Sequence, residues 1–555
     1  MVGHYKQATK ARTKSICLIG AGGVGKTMNG RMGVLYCMSQ GMFVISTTLT
    51  GKRGAENAGE HLHLRFKLDV NTNLTPVQTA ERAIGRLLAD PKRWEILRRV
   101  DAILLDEMGQ VSSQLLSILD MIMRRIRKST QWMGGVLIVA TMDVQQLKPI
   151  HGLPPLLSPC MISSFIYHEF LITLRTNDCH LQRIQAITRK SAYDLENGPG
   201  FKAEFQNLIK NHCMFVDSID DHRIPTDSTI YCFAQHKLCK MAEAKVLRKA
   251  KCKFGNRMVI QKSIDWEQTR HQTYSSLASS STSNALDSAA KVPRELSFFP
   301  YAAYEFTYND SGGRFFQSRL CMVLDHNLPT QAELDDWAEV EVYQSPQGLD
   351  EMPSVPINEA TLLNAGWIKI KVGKQPVDRA KYNLGNDGLY AWREQYGPRH
   401  RISMTIHSVM GSTVPKLVCQ VGHGREETLW EAAQVIVLLS RTRHASDIYF
   451  IGQPNEVADV LWSALLQRDQ FTEYICYLLK SLCHGRDTES SFVIDQTLHH
   501  PFRPKDIQLP QANDYCCYML VSLSDPTNTY IGQTDNLKRR INDHNSSQRG
   551  SSSTN

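Results

Sequence analysis

The chain has 555 residues, with 63 Lys and Arg against 55 Asp and Glu and a formal net charge of +8. That length calls for about three to five compact units, and the mild basic excess suits a polyanionic partner without requiring one. Fourteen cysteines form no short, even framework, no cleavable leader precedes the first motif, and no apolar run approaches about eighteen residues, which speaks against a secreted or membrane-spanning chain.

A short apolar strand, Ile16-Cys17-Leu18-Ile19, runs into Gly20-Ala21-Gly22-Gly23-Val24-Gly25-Lys26-Thr27, which fits the phosphate-loop pattern G-x-x-x-x-G-K-[ST]. The pattern has a mechanism. Glycines let backbone N–H groups close round phosphates, the Lys26 ammonium reaches the β and γ oxygens, and the Thr27 hydroxyl holds Mg²⁺. A helix over Lys26 to Met38 adds its N-terminal dipole. Gly20, Gly22, Gly23, Val24, Gly25, Lys26 and Thr27 are therefore the candidate nucleotide-binding residues, with ATP and Mg²⁺ as the expected cofactors.

Strand and helix signals then alternate: Met42 to Thr47, Pro76 to Leu88, the apolar run Ala102 to Leu105, Val111 to Arg127, and Gly135 to Thr141. This is the pattern of a parallel α/β sheet. The run at 102–105 ends in Asp106-Glu107, a Walker B signature in which Asp106 is placed to hold Mg²⁺ and Glu107 to polarise the attacking water. Gln146, in the polar loop after the 135–141 strand, sits where such sheets meet their ligands and is placed to sense phosphate.

Of Cys232, His236, Cys239 and Cys252 the first three fall within eight residues, but the spacing fits no common zinc site, and Phe233 to Leu247 reads as an amphipathic helix. The serine-crowded stretch between Tyr274 and Ala290 reads as a poorly packed loop. From Phe298 to Val372 short β-branched and aromatic runs alternate with turn residues, a β-rich insertion. A second α/β signal returns at Ser403 to His407, Lys416 to Val421 and Ala433 to Leu439, and Val435 to Leu439 has the length of a buried strand.

As an ordered set, these motifs resemble the PIF/RecD-like helicases of superfamily 1, over about residues 15 to 452. Thr47 to Lys52 and Gly59 to His63 are similar to that family's motif Ia, Asp106-Glu107 to motif II, Asp143 with Gln146 to motif III, Thr405 to Thr413 to motif V, and Leu439-Ser440-Arg441 to motif VI. The resemblance implies two RecA-like domains and 5′-to-3′ movement on single-stranded DNA, in repair, recombination or replication, by a monomer. It implies that Arg175 and Arg441 reach the γ-phosphate from the second domain, and that Thr50, His63, Thr405, His407 and Thr413 touch DNA. It also implies an adenine-contacting glutamine, for which Gln7 is the candidate. The chain departs from the family at Met142, Met410 and Gly109, positions that bear on coupling hydrolysis to movement.

Beyond residue 510, Tyr515 to Leu520, Tyr530-Ile531-Gly532 and Lys538 to Asn545 resemble the opening of a GIY-YIG nuclease, with Tyr518, Tyr530 and Arg540 the matching residues. The family's metal-holding glutamate has no counterpart before Asn555, so no cleavage is expected.

The expected fold is thus α/β: two RecA-like P-loop NTPase domains, a β-rich insertion and a partial GIY-YIG α/β module. The expected divisions are an ATP-binding domain over 1–160, the second domain over 161–265 and 396–455, the Ser-rich loop and insertion over 266–395, a linker over 456–510 and the nuclease-like segment over 511–555. Two other readings stay open: a non-translocating P-loop DNA-binding ATPase, and a structure-selective endonuclease with an accessory ATPase. The expected location is inside the cell, and the nucleus if the source is eukaryotic.

Overall fold

The computed structural model describes residues 15–49, 59–69, 74–149, 151–225, 229–269, 274–308, 310, 314–315, 317–346, 357–374, 382–384, 388–422, 429–468, 470–484, 516–521, 529–537 and 539–540. Gln7 and Thr50 lie outside them. The chain divides into two compact units, Met1–Asp495 and Gln496–Asn555. Among the described residues, no helix is long and apolar enough to cross a membrane.

Within the first unit, six parallel strands make one sheet in the order Glu60–His61, Val44–Thr48, Ala102–Asp106, Leu137–Met142, Ser15–Gly20, Phe165–Phe170. The central strands are buried except at Gly20, as near-continuous apolar runs of a sheet covered on both faces must be. The strand order reverses beside Ser15–Gly20, and the loop that follows it opens at the carboxyl edge, where doubly wound sheets place their ligands.

A second parallel sheet runs Ser403–Thr405, Thr229–Phe233, Lys416–Cys419, Ile448–Ile451, Met214–Val216. Between its strands in sequence lies the β-rich insertion, whose larger sheet is five-stranded and antiparallel. Buried Tyr304, Phe298, Phe306 and Tyr396 fill the insertion's own core.

Several boundaries move. Phe165–Phe170 pairs with Ser15–Gly20, so the first sheet extends past residue 160. The insertion begins at Val259–Lys262, which pairs with Glu295–Phe298, and continues through Pro398–His400. The expected linker is two helices as far as residue 484. Pro454–Leu466 buries Val457, Leu461 and Trp462 in the second core, and Gln470–His484 carries Ile475 and Leu479 back into the first core.

Two elements differ in kind from their sequence reading. Val435 to Leu439 lies in the helix Ala432–Leu438 and its C-cap, not in a strand. Every side of this helix is buried, so its sequence lost the 3.6-residue alternation that separates a helix from a strand. The serine-rich stretch contains the helix Ser280–Ala289, capped by the Ser279 hydroxyl accepting from Thr282 N–H, and anchored by buried Leu286 and Thr282. Serine at an N-cap supplies the acceptor a helix lacks, which composition alone does not reveal.

Candidate nucleotide-binding site and nucleic-acid face

Gly23 and Gly25 take φ of 84° and 85°, the left-handed region, and Gly25 is the N-cap of the helix Lys26–Ser39. A Cβ on Gly23 would stand 2.5 Å from the Arg175 Cβ, so only glycine fits there. Lys26 is buried, and its ammonium donates to the carbonyls of Gly20 (2.9 Å) and Ala21 (2.7 Å). Burial pushes its pKa down, while Asp143 and Glu107 pull it back up. A loop that already holds an ammonium beside its open N–H groups fits a triphosphate, because the phosphate oxygens replace those two carbonyls as the ammonium's acceptors.

Beside the loop, Asp106 is buried and accepts hydrogen bonds from the Thr27 hydroxyl (3.2 Å) and the Thr141 hydroxyl. Thr141 in turn accepts from Glu107 N–H at 3.0 Å. Glu107 adopts φ 56°, ψ 42°, a conformation that costs a non-glycine residue free energy and turns its carboxylate toward the cleft. Thr141 carries no motif signature, yet it sets the geometry of both acidic residues. The Thr27–Asp106 pair has the oxygen chemistry that Mg²⁺ takes.

Gln146, Arg175 and Arg441 converge. A Cβ built on Gly22 would meet Arg441 Nη2 at 2.9 Å, Gln146 Nε2 at 3.0 Å and Arg175 Nη1 at 3.4 Å. Arg441 is wholly buried and donates to Val437 O (3.0 Å), Ser412 O (3.3 Å) and Ser440 Oγ (2.7 Å). Arg175 donates to Ser440 O at 2.5 Å. Its attachment differs from the expected one. The strand before it belongs to the first sheet, and Leu174 N–H bonds to Gly23 O at 2.8 Å, so Arg175 lies against the phosphate loop, and Arg441 alone of the two comes from the second domain.

Gln146 is held from behind. Its amide donates to Asp143 Oδ2 at 2.7 Å, and Asp143 receives both arms of Arg189 at 3.0 and 2.8 Å. Burial raises the Asp143 pKa, but the Arg189 guanidinium more than offsets this and holds it below the usual carboxylate value. Arg189 caps the helix Cys179–Thr188, and only the folded chain shows it beside motif III. A cleft of about 540 Å³ collects these groups, lined by the loop with Glu107, Gln146, Arg175, Arg441, Asn177 and Arg443. Thr413, expected on the DNA side, lines this cleft instead.

The other expected DNA contacts disperse. His407 is exposed on the short helix Ile406–Val409, whose N-cap, Thr405, is buried and accepts from Ser408 N–H at 3.2 Å. His63 packs 5.3 Å from the His61 ring, and burial lowers its pKa. Met142 is fully buried in its strand, whereas Met410 faces Gln110 across the two domains, Nε2 to Sδ 3.8 Å. Cys239 and Cys252 lie on one helix thirteen residues apart, about 20 Å at roughly 1.5 Å per residue, too far for a single tetrahedral metal site.

In the second unit, Cys516–Val521 and Thr529–Thr534 form an antiparallel hairpin. Its register pairs Tyr518 with Gly532 and Leu520 with Tyr530, so positions 518 and 530 are diagonal neighbours on one face. Arg540 follows in a helical turn, its N–H bonded to Asn536 O at 3.0 Å.

Comparison with known proteins finds similar sequences and folds. A model of the PIF1-like helicases matches residues 4–194, and a model of the GIY-YIG catalytic domain matches residues 514–555. No curated protein matches the sequence. Pif1 helicase from Candida albicans superposes with a TM-score of 0.59 at 16% identity, covering 86% of this chain and 98% of that one. Bacteroides Pif1 bound to single-stranded DNA gives 0.51 at 16% identity, covering 81% and 91%. Bacteroides Pif1 with ADP-AlF3 and single-stranded DNA gives 0.52 at 15%, covering 81% and 93%. Residues 4–194 thus match the PIF1-like helicase model, residues 514–555 match the GIY-YIG catalytic domain model, and the chain shares the fold of the solved Pif1 structures.

Proposed function

We propose that this protein is an ATP-dependent DNA helicase that moves 5′-to-3′ along single-stranded DNA. The observation that carries this reading is the convergence of Gln146, Arg175 and Arg441 on Gly22, because it joins groups of both parallel sheets at one phosphate position. The phosphate-loop amides and Lys26 bind the triphosphate, and Glu107 orients and deprotonates the attacking water. Thr27 and Asp106 would hold Mg²⁺, which neutralises charge on the phosphate oxygens. Arg441 completes the site only when the second domain closes on the first, so hydrolysis reports and drives that closure.

His63, Thr405 and His407 would meet the sugar-phosphate backbone, which carries no base identity, so binding is independent of sequence. The likeness to Bacteroides Pif1 in its complexes supports single-stranded DNA as the track. A single chain on the strand, acting inside the cell, is the simplest assembly that supplies every named group.

The test is steady-state ATP hydrolysis with and without single-stranded DNA, for the native chain and Lys26→Ala, followed by unwinding of duplexes tailed at either end. Strong stimulation that vanishes in Lys26→Ala, with unwinding from the 5′ tail only, is the expected result. Stimulated hydrolysis without strand separation would instead mark a DNA-binding ATPase that does not translocate.

A further inference from the structure

The helix His236–Phe254 joins the second parallel sheet to the insertion and carries seven Lys and Arg against one carboxylate, Glu243. One side is anchored: Cys239, Ala242 and Ala250 are buried, and Leu247 and Phe254 pack on the insertion's core. The other side presents Lys245, Arg248, Lys249 and Lys253, at i, i+3, i+4 and i+8, as a single stripe along a groove of about 530 Å³. Asp220 is the groove's only acidic lining residue, at 3.6 Å from Lys245 and 3.5 Å from Lys249. Arg248 and Lys253 have no carboxylate partner among the described residues, and no lining residue is shared with the nucleotide cleft.

We propose that this stripe is a docking surface for the phosphodiester backbone of duplex DNA, separate from the single-strand track. The reading rests on the helicase function above and adds a second nucleic-acid contact to it. Charge selects the partner: four cations around one carboxylate match a polyanion, and the eight-residue step from Lys245 to Lys253 spans about 12 Å at 1.5 Å per residue. With one phosphate per strand for roughly every 3.4 Å of duplex axis, a stripe lying along that axis spans three to four phosphate levels.

Duplex is favoured over single strand because the groove's lining contains no aromatic side chain. Single-strand grooves stack unpaired bases on aromatic rings, whereas a duplex hides its bases and offers only backbone to such a surface. The position agrees, since the stripe stands at the root of the insertion, on the element that ties it to the motor.

The experiment compares two probes, a single strand and the same strand carrying a duplex at one end, bound to the full chain over a range of salt concentrations. Lys245→Ala/Arg248→Ala/Lys249→Ala should weaken the tailed duplex about tenfold and reduce its log–log salt slope by about 2 to 3, at roughly 0.9 per lost phosphate contact. Single-strand affinity and single-strand-stimulated hydrolysis should stay within about twofold. Asp220→Asn, which removes the competing carboxylate, should tighten the tailed duplex.

An unchanged tailed-duplex affinity in the triple variant overturns the proposal, as it would if the stripe took an acidic protein. Equal losses on both probes overturn it too, by placing the stripe on the single-strand track, and so does a weaker Asp220→Asn. Absence of single-strand stimulation in the native chain counts against the motor itself, and the duplex comparison is read independently of it.

Discussion

The two parallel sheets of the first unit build the candidate site in different ways. The first writes its part of the cleft into consecutive residues: Gly22, Gly23, Gly25, Lys26 and Thr27 line it, with Glu107 of the acidic pair beside them. The second contributes single side chains held by their surroundings, such as Arg441, clamped by Val437 O, Ser412 O and Ser440 Oγ. Backbone amides must cluster to bind a phosphate, so that task needs a contiguous loop. Stabilising a developing charge needs one well-placed cation, and any segment that reaches the site serves. The half that binds is therefore local in sequence and the half that triggers is not.

Removing one group from each half sharpens that contrast. Arg441→Ala should cost at least about 10³ in the rate of hydrolysis while nucleotide binding persists, the signature of a group that acts on the transition state. Lys26→Ala should weaken nucleotide binding as well. Equilibrium binding of a fluorescent ATP analogue, set beside single-turnover hydrolysis, separates the two. If Arg441→Ala abolished binding, the division between binding half and trigger half would fall.

A smaller effect is expected where the halves are pinned to each other. Arg189→Ala leaves the buried Asp143 carboxylate without its ion pair, at a cost of about 3 kcal/mol in stability. Gln146 then loses its fixed acceptor, and hydrolysis should fall by about tenfold with little change in KM. Thermal unfolding and steady-state kinetics read the two consequences separately. The pair should also give way to acid. The Asp143 pKa lies below its unfolded value of about 3.9, so the pair's stabilisation is fully present above that pH and is lost as pH falls through the folded value.

The smallest effect on hydrolysis concerns the insertion, remote from the chemistry. His400 is buried against Phe299 and Tyr304, and burial lowers its pKa to about 3. The unfolded imidazole titrates near 6.5, so between about pH 6.5 and 3 the unfolded state binds the extra proton and stability falls as pH falls. The slope is about 1.4 kcal/mol per pH unit, with hydrolysis at neutral pH unchanged. His400→Phe should flatten the acid limb of the unfolding midpoint against pH, and an identical limb in that variant would remove His400 as its cause.

The terminal segment followed the first sheet's rule. Tyr518 and Tyr530 were legible from spacing because a hairpin is local, and its register brings both positions to one face. Elsewhere local reading failed for stated reasons. Val435 to Leu439 looked like a strand because a helix buried on every side has no polar stripe. The helix Ser280–Ala289 was hidden by its serines, although one of them caps it. Residues 456–484 looked like a linker because nothing local says that Ile475 and Leu479 complete the first domain's core.

The sequence by itself determined the nucleotide loop, the acidic pair behind it, the α/β class and the order of the motifs, because each rests on interactions within a few residues or on strand and helix periodicity. Only the tertiary structure decided that Thr141 orients Asp106 and Glu107, that Arg175 lies against the phosphate loop, that Arg189 steadies Gln146 through Asp143, and that Thr413 lines the cleft beside that loop. Those contacts join residues far apart in the chain. Their existence depends on how neighbouring strands of one sheet align and on how the two sheets close on each other, which no local pattern encodes.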